Sequence, residues 1–114
     1  MTTIILTGLF LSAYAFNPSY GTLKIRQEWG QLPADVSEYD VLLAVPNCGL
    51  IGKEATMEVK GVTYDALIFD CAGPDSHTWM IDNHVAAEVD YWFWRENPEL
   101  VGVRTPVTIT VYLN

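Results

Sequence analysis

Positive charge is scarce in this 114-residue chain: six Lys and Arg stand against fourteen Asp and Glu, for a formal net charge of −8. A surface so short of cations repels a phosphate backbone and offers no basic stripe to neutralise one, so nucleic acid is not an expected partner and anionic membranes are disfavoured. Long apolar runs are missing too. The opening "MTTIILTGLFLSAYA" falls short of the ~20 residues a membrane-spanning helix needs, and no membrane insertion is expected. Its Ala13-Tyr14-Ala15 imitates a signal cleavage site, but no basic residue precedes the apolar stretch. The segment is therefore read as a β-branched, aromatic-containing first strand over residues 4–16. No repeat, low-complexity tract or linker-like stretch divides the sequence, which predicts a single domain over residues 1–114. N-linked sugar is not expected, because Asn17-Pro18-Ser19 carries proline at the forbidden position.

Cysteine is equally sparse. Cys48 and Cys71 are compatible with one disulfide and an oxidising compartment, or with two buried thiols in a reducing one. With His77 and His84 they match a zinc set by type, but no Cys-x₂-Cys pair fixes such a site, so neither metal nor cofactor is expected.

What the chain has in quantity is apolar and aromatic area: half the residues are hydrophobic, including four Trp, six Tyr and four Phe, which marks a folded protein. Alternating or apolar runs occupy residues 3–16, 22–29 ("TLKIRQEW"), 39–46, 53–60, 62–70 and 105–113, separated by turn signals such as Lys60-Gly61. Six such runs predict a small closed β structure. The one helical pattern is "DYWFWRENPELVG", with Asp90 as its N-cap and Pro98 limiting its length.

In their order and spacing, "AVPNCG" entering a hairpin, "ALIFDCAGP", "EVDYWFW" and the closing "LVGVRTPVTITVYL" resemble the double-psi β-barrel superfamily. That group includes barwin and expansin proteins, rare lipoprotein A-like proteins, cerato-platanins and some polysaccharide-cleaving enzymes. The resemblance runs over residues 8–113. It implies an all-β, six-stranded double-psi β-barrel with one short helix near residues 91–97, and such a barrel would bring Cys48 and Cys71 together as a disulfide.

The same resemblance assigns candidate site residues. Asp90 matches the groove acid of polysaccharide-active relatives; walled by Tyr91, Trp92 or Trp94 it would have its pKa raised by desolvation and protonate a glycosidic oxygen, while the alternative role is a helix cap. Asp70 corresponds to a second catalytic candidate near the groove, or else ties down the Ala72-Gly73-Pro74 turn. Tyr14, Trp79, Trp92 and His84 are the candidates for lining the groove and contacting substrate. Trp92 and Trp94, two apart on a helix, cannot face the same way, so at least one belongs to the core.

Paired-acid hydrolysis needs a second carboxylate, and the first strand, "LFLSAYAF", has none. The expected function is thus an extracellular or cell-envelope module that binds or loosens cell-wall polysaccharide, of the expansin or rare lipoprotein A type. The alternatives are a peptidoglycan lytic transglycosylase-like enzyme using a single Asp, and a structural barrel with no sugar activity. The expected partner is polysaccharide or peptidoglycan.

Overall fold

The computed structural model describes residues 2–14 and 16–113. Strands are its main element. In chain order they are β1 (Thr3–Gly8), β2 (Phe10–Ala13), β3 (Val41–Val45), β4 (Glu54–Val59), β5 (Val62–Cys71), β6 (Val85–Val89) and β7 (Val107–Tyr112). Three α-helices are interleaved, α1 (Phe16–Glu28), α2 (Pro74–Asp82) and α3 (Tyr91–Glu96), with short 3₁₀ turns at Cys48–Leu50 and Pro98–Leu100.

The strands form one mixed sheet in the order β1-β7-β4-β5-β3-β6-β2. Neighbours run antiparallel except for the parallel pairs β3/β5 and β2/β6. The edge strands β1 and β2 are separated by Leu9 alone, so a single stretch of chain borders both edges, and the sheet curls to allow it. Leu9 donates its backbone N–H to the His84 carbonyl at 2.7 Å. Gly8 lies so close to β6 that a Cβ there would come within 2.5 Å of the Ala86 nitrogen, an approach only glycine permits.

Alternation decides what faces inward. Ala55, Met57 and Val59 of β4 and Val107, Ile109 and Val111 of β7 fill the inside of the curl with Val41, Leu43, Ala66 and Ile68. β3 and the second half of β5 are buried on both faces: Leu42, Ala44, Leu67 and Phe69 form a second, outer cluster with Leu32, joined by Tyr14, Leu23, Val36 and Tyr39. Lys60 and Gly61 both take positive φ, 52° and 76°, as a tight hairpin turn between β4 and β5 requires.

Three expectations need correction. Residues 22–29 are not a strand: they belong to α1 and the residues just after it. Among the helix positions from residue 18 onward, those turned from solvent are Ser19, Thr22, Leu23, Arg26 and Gln27, spaced as a helix face is, while Ile25, which suggested alternation, is exposed. Helix formation is also wider than one segment near residues 91–97, because Gly73-Pro74 starts α2 with proline at its first position, where its missing N–H costs nothing. Finally, residues 4–16 are not one buried strand. The chain passes from β1 to β2 at Leu9 and enters α1 at Phe16, and Ile5 is 62% exposed whereas Leu11 is fully buried.

The two cysteines form a disulfide, with Cα atoms 4.8 Å apart. Cys71 ends β5 beside Val45, the last residue of β3, and Cys48 lies three residues further along in the 3₁₀ turn.

Candidate functional site

Asp90 follows β6 and caps α3. One carboxylate oxygen accepts the Phe93 N–H at 3.0 Å, closing the first turn of the helix, and the other accepts the Leu42 N–H of β3 at 2.7 Å. The side chain thus ties helix to sheet, and the residue is only 4% exposed. Burial pushes its pKa above the ordinary aspartate value, against the opposing pull of the surrounding backbone N–H groups, Leu42 and Phe93 foremost. Both oxygens are committed to backbone N–H groups, which is the geometry of a structural cap.

Around this cap lies a cleft of about 320 Å³, bordered by Tyr39, Asp40, Tyr64, Asp90, Trp92 and Glu96 among others. The Asp40 loop is held to β5 by reciprocal bonds: Asp40 N–H donates to the Asp65 carbonyl, and Asp65 N–H to the Asp40 carboxylate, both at 2.8 Å. Tyr64 stands edge-on to Phe93 with ring centroids 5.2 Å apart. Neither Trp92 nor Trp94 belongs to the core, contrary to expectation: Trp92 is half-buried at the border of the cleft, Trp94 is exposed and packs edge-on to Tyr91 at 5.9 Å, and Phe93 between them is the buried ring.

Asp70 belongs to a different cluster, on the outer face of the sheet. The pairings Ser12–Glu88, Glu88–Ala44 and Ala44–Asp70 put these residues in one cross-strand row over β2, β6, β3 and β5. Tyr14 donates its hydroxyl proton to Asp70, and Arg26 reaches from α1 to ion-pair with the other oxygen at 2.8 Å. The Tyr14 ring meets Phe69 edge-on at 5.4 Å. Burial, the bond to Asp70 and its charge push the phenol far above its ordinary pKa, so it remains a donor at any working pH.

Glu88 shares this row, and its pKa is raised by burial and then by the Asp70 charge. The folded state therefore keeps the Glu88 proton at pH values where the unfolded chain, with a pKa near 4.5, has lost it. Stability from this group is present below that value and is lost as pH rises through the raised folded one. Glu88→Gln is accordingly expected to match the wild type at pH 4 and to exceed it in stability at pH 8. The gain should stay below about 1 kcal/mol, because solvent screens a partly exposed group. Urea unfolding at the two pH values checks this, and an equal difference at both would dissociate Glu88 from the effect.

The sequence-derived candidates thus separate. Asp90 and Trp92 share the cleft, Asp70 and Tyr14 share the outer cluster, and His84 borders a third, largely apolar cleft with Leu9, Met80 and Ile81. Trp79 stands 47% exposed on α2. Arg26, Glu88, Tyr39 and Tyr64 were not among the candidates. Of these only Glu88 carried a signal, as a lone charge inside the apolar "VAAEV" two residues before Asp90. Among the described residues no group of His, Cys, Asp and Glu is arranged to hold a metal ion. No family model, curated protein or solved structure matches the chain.

Proposed function

We propose that the protein is a polysaccharide-binding module of the double-psi β-barrel type, acting outside the cell or in its envelope, with the Asp90 cleft as its groove. One observation carries the reading: Trp92, Tyr39 and Tyr64 border a single open cleft with Asp40 and Glu96 at its rim. Aromatic faces beside a few polar groups are the combination that a sugar ring, apolar on its faces and polar at its edge, requires.

Binding is favoured over single-acid cleavage because each Asp90 oxygen already serves a backbone N–H. Its part is to build the groove, and Trp92 contributes the main contact. The mixed sheet whose two edges are bordered by one chain segment supports the barrel type. The disulfide, and the lack among the described residues of any helix long and apolar enough to cross a membrane, are compatible with an extracellular location.

Trp92→Ala tests the reading. A stacking contact of about 1.5 kcal/mol predicts roughly tenfold weaker retention on insoluble cell-wall polysaccharide. No soluble fragments should be released by the wild type. Retention unchanged in a folded Trp92→Ala protein would overturn the assignment of the groove.

A further inference from the structure

The groove continues past Tyr39. That residue borders both the Asp90 cleft and a second cleft of about 420 Å³, which Thr56 and Tyr112 also line. The two therefore meet along one side chain and extend the binding surface across the loop before β3 and the outer face of β4 and β5.

The charge of this extended groove is one-sided. Glu38, Glu54 and Asp65 border the second cleft, Asp40 and Glu96 the first, and all five are exposed. No Lys or Arg lines either cleft among the described residues. Glu54 and Glu38 act on Tyr39, whose phenol is pushed up to about 12 by its partial burial and by these carboxylates. A neutral glycan would leave five carboxylates uncompensated along its path, and a uronic-acid or phosphate-bearing polymer would be repelled.

Resting on the proposed binding function, we infer that the occupant of the joined clefts is a cationic aminosugar chain, a glycan with free, unacetylated amines. Its rings lie against the aromatic side chains that border the two clefts, Trp92 and Tyr39 in the first and Tyr39 and Tyr112 in the second, while its ammonium groups lie against the carboxylates. A basic peptide would satisfy the charge but not account for these aromatic walls.

Calorimetric titration with a glucosamine oligomer, and with the same oligomer after N-acetylation, separates the claims. The charged oligomer is expected to bind roughly tenfold tighter at low ionic strength. That advantage should shrink as salt is raised to about 0.5 M, where the screening length falls to a few ångströms, and it should be reduced in Glu54→Gln/Asp65→Asn, both exposed positions. Equal affinity for the two oligomers, or an advantage undiminished in the double variant, would overturn the inference. So would polylysine binding as tightly as the aminosugar with no effect of Trp92→Ala, which would assign the groove to basic peptides. If neither oligomer binds while wall polysaccharide is still retained through Trp92, the inference fails and the binding function stands. If wall polysaccharide is not retained either, both fail.

Discussion

Replacing Cys48 and Cys71 together by serine is expected to lower the free energy of unfolding by about 3 kcal/mol, the chain-entropy value for a loop of this length. The bond spans 23 positions, and the enclosed segment contains all of β4 and nearly all of β5. Without the link, the unfolded chain regains the freedom of that loop, while the native state loses a tie between the ends of the parallel pair β3/β5. A loss of this size in a domain of about 100 residues moves the thermal midpoint by roughly 10–15 °C. Thermal unfolding of the oxidised, reduced and doubly substituted proteins checks it, and the last two should coincide. Free alkylation of both thiols in the unfolded, unreduced protein would contradict the crosslink itself.

Asp90→Ala is expected to cost about 2–3 kcal/mol, more than an ordinary helix cap, because the residue satisfies two backbone donors on different elements. Removing the carboxylate strands the Leu42 N–H of β3 as well as the Phe93 N–H of α3. Asp90→Asn should cost less: it keeps one acceptor and removes a buried charge whose desolvation already offsets part of the gain. Urea unfolding gives the two values. Amide exchange at Leu42 gives the mechanism, since its protection should fall in Asp90→Ala. Unaltered exchange at Leu42 in that variant would show that the bond to β3 contributes nothing.

Alternation in "KEATMEVK" and "TPVTITVYL" was enough to locate β4 and β7 and their inward residues, because each of these strands buries one face only. The cap at Asp90 and the short helix behind it were legible for a similar reason, as both are local. α1 was not. Its inward stripe carries Ser19 and Arg26, which hydrogen-bond to Tyr91 N–H and to Asp70, so the apolar periodicity that announces a helix is missing. A buried face satisfied by polar contacts to distant residues leaves no pattern in its own sequence.

The Asp90 cleft was half legible. Asp90 and Trp92 are close in the chain, but Tyr39 and Tyr64 join them only through the pairing of Asp40 with Asp65 and the edge-on packing of Tyr64 against Phe93. In the same way, Glu88 and Asp70 become companions because both pair with Ala44. These are consequences of strand order, which hydrophobic alternation does not encode.

The position of β7 between β1 and β4 constrains how the chain can fold as it is made. Residues 3–8 pair with residues 107–112, which also complete the free side of β4. During synthesis β1 emerges well before its partner strand, β7, so until β7 has left the ribosome both β1 and β4 present unpaired edges. The parallel pairing of β2 with β6 likewise waits for some 70 intervening residues. The nascent chain must therefore carry open strand edges, the surfaces that template aggregation, until β6 and β7 emerge. Its yield in cells should depend on edge-binding chaperones and on translation speed more than the stability of the finished fold would indicate.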